Sequence, residues 1–75
     1  MNPLKIAIVG TGLIGGSLGL ALKKNVDNLT ITGFDEDPAS LDKAAEIGAI
    51  DQAAAGLAET VEGVDIVFFC TPVLQ

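Results

Sequence analysis

Between residues 4 and 24 a short β-branched run, a cluster of glycines and a helix-length segment follow one another without a break. No other feature constrains the chain as strongly. Leu4 to Val9 suits a strand buried on both faces, and Leu13 to Lys24 suits a helix whose two terminal lysines complement the negative end of the dipole. Between them lies Gly10-Thr11-Gly12-Leu13-Ile14-Gly15. A bare GxGxxG pattern is common, and its meaning comes from the strand before it and the helix after it. In that setting Gly10 takes the angles of a sharp turn, Gly12 removes a side chain where a pyrophosphate approaches the backbone, and Gly15 lets the helix pack on the sheet. The N–H groups of Leu13 and Ile14 then stand at the helix N-terminus, where unpaired donors and the positive dipole end hold an anion without a basic side chain. The bland alternative is a glycine-rich turn with no ligand. Gly16 and Gly19 need a further reason, because glycine inside a helix costs about 1 kcal/mol relative to alanine. Gly15 and Gly19 share one helix face, which implies a close helix-to-strand contact.

The same pattern places an acid at the end of the next strand. Leu29 to Phe34 alternates apolar residues with Thr30 and Thr32, and Asp35 follows, about 20 residues after Gly15. A carboxylate there accepts hydrogen bonds from the adenosine ribose hydroxyls and repels the 2′-phosphate of NADP, so NAD is the expected cofactor. Glu36 agrees in sign, since a basic residue is the usual device for holding that phosphate. The competing reading of Asp35 to Asp37 is a solvated acidic cluster at the positive end of the second helix, and for Asp37, an N-cap before Pro38, that reading is preferred.

Downstream, Leu41, Ala44 and Ala45 mark a helical face closed by Gly48, Ala49 and Ile50 suit a very short third strand, and Leu57, Ala58 and Val61 a short helix before Gly63. Ile66 to Cys70 reads as an apolar strand. The order β-α-β-α-(β)-α-β predicts an α/β fold: a Rossmann-type parallel sheet with helices on both faces, the first half of a dinucleotide-binding domain. Cys70-Thr71-Pro72 ends the last strand on the sheet edge where ligands of open α/β sheets bind; Thr71 is a candidate ribose or nicotinamide contact, with loop polarity the alternative. Cys70 reads as a small buried hydrophobe rather than a nucleophile.

Composition removes other chemistries. The chain has 75 residues, no His, four lysines as its entire basic complement and one Cys. Histidine acid–base catalysis, an intrachain disulfide and a zinc or iron–sulfur ligand set are therefore outside these residues. A net charge of −6 argues against nucleic acid as a partner. The apolar run from Ile6 to Leu22 is broken by five glycines and lacks a cleavage site or stop-transfer pattern, so it reads as strand, turn and helix rather than a membrane span, and the cytoplasm is expected.

Ile6-Ala7-Ile8-Val9-Gly10-Thr11-Gly12-Leu13-Ile14-Gly15-Gly16-Ser17-Leu18, then Gly33-Phe34-Asp35, Asp37-Pro38, Gly48-Ala49-Ile50-Asp51 and Thr71-Pro72-Val73, together resemble the N-terminal part of prephenate and arogenate dehydrogenases. The likeness covers essentially the whole chain, and Gly-x-Gly-Leu-Ile-Gly-Gly-Ser is far more specific than GxGxxG, although reductases of the 6-phosphogluconate dehydrogenase-like group share much of it. The resemblance implies oxidative decarboxylation of prephenate to 4-hydroxyphenylpyruvate in tyrosine synthesis, with hydride passed to a nicotinamide. It also implies a histidine on the ring hydroxyl, an arginine on a substrate carboxylate, and a helical C-terminal domain that forms a homodimer. Neither catalytic residue type occurs in this sequence, so only cofactor contacts carry over: Gly10, Gly12, Leu13, Ile14, Gly15, Asp35, Thr71 and Pro72. Taken alone the chain is expected to be catalytically silent, with the rest of the dinucleotide domain and the substrate domain beyond residue 75. A free-standing NAD-binding module and the first half of a different reductase are the alternatives. Ile66 to Cys70 is expected to form an apolar sheet edge, exposed or covered by another chain.

Overall fold

A computed structural model of the protein describes residues 2–71. Strand β1 (Leu4–Val9) lies between β2 (Leu29–Phe34) and β4 (Ile66–Phe69), and β3 (Gln52–Ala53) pairs with the outer side of β2, all in parallel. The order β3-β2-β1-β4 reverses direction at β1. A central strand has both faces covered, and the continuous apolar run meets that need: Ile6, Ala7, Ile8 and Val9 are all buried.

Helices α1 (Leu13–Asn25) and α2 (Pro38–Glu46) cover one face. There Ile6, Ile8, Leu29 and Ile31 pack with Leu18 and Leu22 of α1 and with Leu41 and Ala44 of α2. Fully burying one such isoleucine contributes about 1.5–3 kcal/mol. The short helix α3 (Leu57–Val61) packs on β1 and β2. Its wholly buried Thr60 donates its hydroxyl to the Gly56 carbonyl at 2.6 Å, which satisfies the one polar group it brings inside. Asp37 caps α2, accepting from Ala39 N–H at 3.1 Å ahead of Pro38, and Gly48, at φ +82°, closes that helix. No helix among the described residues is long and apolar enough to cross a membrane.

Three details differ from the sequence expectations. The third strand is Gln52–Ala53 rather than Ala49 and Ile50. Ala49 and Ile50 are buried for packing, not pairing: Ala49 lies against Gly19 and Ile50 fills the space over Gly33. Gly19 accordingly meets the connection before β3 rather than a strand, while Gly15 meets the Gly10 carbonyl and the Ile8 side chain. Strand β4 ends at Phe69, although Cys70 N–H still donates to the Val9 carbonyl at 2.8 Å. Among the described residues β4 is an edge of the sheet, as expected, with Ile66 and Phe69 exposed.

One ion pair ties the lower end of the sheet together. Lys23 Nζ donates to Asp51 Oδ1 at 2.7 Å and to the Leu29 carbonyl at 3.1 Å, and Asp51 Oδ2 accepts from Ile31 N–H at 2.7 Å. Burial pushes the Asp51 carboxyl up, but the Lys23 hydrogen bond, the Ile31 amide and the Lys23 charge outweigh it and leave the group below its ordinary value. A carboxyl whose folded value is depressed contributes stability above the unfolded value, near 4, and loses it as pH falls through the folded value. Thermal melts should therefore show a fall in stability below about pH 4 that is smaller in Asp51→Asn. Asp51→Ala should cost about 1–3 kcal/mol at neutral pH in urea titrations, because the Ile31 amide loses its acceptor. A second pair tests the packing of α1. Gly19→Ala drives a methyl into the Ala49 carbonyl and should destabilise by about 1–3 kcal/mol. Gly16→Ala, whose nearest neighbour stands at an ordinary 3.6 Å, should be neutral or stabilising by up to about 1 kcal/mol.

Candidate functional site

The carboxyl ends of β1, β2 and β4 are held level by short backbone bonds: Gly10 N–H to the Phe34 carbonyl at 2.7 Å, and Cys70 N–H to the Val9 carbonyl. Beyond them opens a cleft of about 860 Å³, walled by the glycine turn, the end of β2, the start of α2, Leu57 and Cys70-Thr71. It lies beside β1, where the strand order reverses, which is where open α/β sheets bind ligands. A smaller hollow of about 390 Å³, lined by Lys5, Thr30, Thr32 and Glu59 among others, shares no lining residue with the cleft.

The turn forms as its sequence requires. Gly10 adopts φ +97°, and a Cβ there would stand 2.8 Å from Thr71 N, so both conformation and space demand glycine. Gly12 is the N-cap of α1 and no side chain caps the helix, nor does any acidic residue occupy its first turn. The amides of Leu13 and Ile14 therefore open a helix end with no built-in anion, and both side chains are exposed at the mouth of the cleft. Among the described residues, no atom beyond those of its chain neighbours lies within 4 Å of where a Gly12 Cβ would stand, and Gly12 lines the cleft.

Beside the turn Asp35 is half-buried, its Oδ2 accepting from Thr11 N–H at 2.7 Å and from Thr11 Oγ1–H at 3.4 Å, its Oδ1 from Asp37 N–H at 2.8 Å. Glu36 is exposed on the same rim. Gly10, Gly12, Leu13, Ile14, Asp35 and Thr71 thus line one cleft. Gly15 is buried beneath the turn against the Gly10 carbonyl, where its missing side chain admits the helix, and Pro72 lies outside the described residues. Cys70 is half-buried and packs against the core. Sequence reasoning missed Thr11, Ser40 and Leu57. Thr11 carried no signal as the variable position of the motif, and Leu57 is drawn to this end of the sheet only by the crossover of α3.

A family model described as the nucleotide-binding domain of prephenate dehydrogenase matches residues 18–75. The chain belongs to that family. Prephenate dehydrogenase of Bacillus subtilis (strain 168) is 39% identical over 77 residues, covering 100% of this chain and 21% of the relative. Among solved structures, prephenate dehydrogenase from A. aeolicus in complex with hydroxyphenyl propionate and NAD+ superposes with a TM-score of 0.83 at 30% identity, over 96% of this chain and 26% of its own. Arogenate dehydrogenase of Synechocystis superposes with a TM-score of 0.80 at 33% identity, over 92% and 24%. The chain thus spans between a fifth and about a quarter of these members' lengths. The family match begins at Leu18, after the glycine turn, whereas the alignment with the Bacillus subtilis enzyme covers the whole chain.

Gly12→Ala separates site from scaffold. It should change stability by less than about 1 kcal/mol in urea titrations, since the new methyl strikes no atom of the described residues beyond its chain neighbours. Gly10→Ala should destabilise by about 1–3 kcal/mol in the same assay, since its methyl strikes the Cys70-Thr71 backbone at a positive φ.

Proposed function

We propose that this chain is the NAD-binding portion of a prephenate dehydrogenase, an enzyme that oxidatively decarboxylates prephenate to 4-hydroxyphenylpyruvate in tyrosine biosynthesis. The observation that carries the reading is the convergence, in one cleft, of an uncapped helix N-terminus, the side-chain-free Gly12 and the Asp35 carboxylate. A pyrophosphate fits the first two, because backbone donors and the helix dipole favour an anion and glycine leaves it room. A ribose diol fits the third. The A. aeolicus enzyme, solved with NAD+, superposes over 96% of the chain.

In this proposal Gly10, Gly12, Leu13, Ile14 and Gly15 form the pyrophosphate turn, Asp35 accepts from the adenosine ribose, and Thr71 and Pro72 lie toward the nicotinamide half. The nicotinamide, when bound, accepts the hydride. The chain's own residues bind and orient it, and with no His or Arg among the 75 the substrate chemistry is assigned to residues beyond Gln75, in the remainder of the dinucleotide domain and a helical substrate domain. Residues 1–75 alone are then a cofactor-binding unit without turnover, from a cytoplasmic enzyme that acts as a homodimer.

Asp35 and Glu36 set the cofactor preference, both carrying the charge that repels a 2′-phosphate. Calorimetric titration should show NAD+ bound more tightly than NADP+, and Glu36→Arg should narrow the difference; equal or preferential NADP+ binding would sink the Asp35 assignment. Gly12→Ala should weaken NAD+ at least about tenfold while the fold persists.

A further inference from the structure

The Asp35 carboxylate is held from behind as well as facing the cleft. Thr11, only 4% exposed, donates its N–H to Oδ2 at 2.7 Å and, in a longer and weaker contact of 3.4 Å, its hydroxyl to the same oxygen, and its Cγ2 lies against β2, where a Cβ on Gly33 would stand 3.1 Å from it. So enclosed, Thr11 has little surface to offer a ligand. With Asp37 N–H on Oδ1, three of roughly four acceptor positions on the carboxylate are filled, and the one left is on Oδ1. The 2.7 Å amide bond is of the short, charge-assisted kind. It joins two elements 24 residues apart, the pyrophosphate turn and the ribose acceptor, which must bind one ligand at once.

We propose that Thr11 is a positioning residue that locks Asp35 to the glycine turn, setting the diol acceptor and the pyrophosphate cradle in fixed relation before a dinucleotide arrives. Ordering these groups in advance removes a cost that binding would otherwise carry. The proposal rests on the dinucleotide reading above.

The test uses NAD+ and its analogue lacking the adenosine 2′-hydroxyl, titrated into the unmodified protein, Thr11→Val and Thr11→Ser. Valine keeps the branched shape and the amide but loses the hydroxyl. NAD+ affinity should fall about three- to tenfold in Thr11→Val, the preference for NAD+ over the analogue should shrink, and Thr11→Ser should keep both within about twofold of the unmodified protein. Equal weakening of both ligands, or tighter NAD+ binding by Thr11→Val, would overturn the proposal. Should the valine variant not fold, NMR on the unmodified protein decides: the Thr11 amide should stay protected from exchange with and without saturating NAD+, and loss of protection on binding would overturn the lock. If the unmodified protein binds no NAD+, the dinucleotide reading itself falls and the proposal with it, a failure distinct from an inert Thr11.

Discussion

The backbone of α1 runs directly against the Gly10 carbonyl, with Gly15 at the contact. Any side chain at that point would lift the helix from the end of β1 and swing its N-terminal amides away from the strand ends. The helix N-terminus, the cleft and the level of the Asp35 carboxylate all follow from this approach. Lower down the same helix face, Gly19 lies against the Ala49 carbonyl, so the helix is seated at two points one turn apart. Glycine weakens the isolated helix at both, and tertiary packing compensates: Leu18 and Leu22 join the core only because the helix lies this close.

Two carboxylates then fasten the ends of the β1–β2 unit by the same means, each accepting a backbone N–H from a distant element. Asp35 takes the Thr11 amide at the upper end, and Asp51 takes the Ile31 amide at the lower, with Lys23 completing the second group. In both places an acid substitutes for a strand where the ladder stops. Each carboxylate accepts three hydrogen bonds, Asp51 two from Lys23 and one from Ile31, Asp35 two from Thr11 and one from Asp37. The difference lies in partner and place: Asp51 is paired with a lysine, whereas Asp35 has only uncharged donors and lines the cleft. That distinction separates the acid that holds the scaffold from the acid suited to a ligand.

Much of this was legible in the residues. The bounds of β1 and β2 and the start of α1 followed from apolar runs meeting glycine or acid, because local propensity and burial point the same way there. The Asp37 cap and the Gly48 stop were equally local. The third strand was not, since Ala49 is buried against Gly19 of α1 and Ile50 over Gly33 of β2, and burial of a two-residue apolar run looks the same whichever element causes it. Gln52 and Ala53 have little strand propensity; the free edge of β2 recruits them.

The sequence by itself determined the alternation of strands and helices, the glycine turn with its uncapped helix end, the acid at the end of β2, and the absence of His and Arg. These depend on neighbours in the chain and on which residue types exist to be used. Only the tertiary structure decided which residues form the third strand, that Leu57 reaches the cleft, and that Thr11 stands beside Asp35 while Lys23 finds Asp51. Those partners are 24 and 28 residues apart, and their meeting is set by the crossovers that stack the sheet, a constraint no local pattern of residues carries.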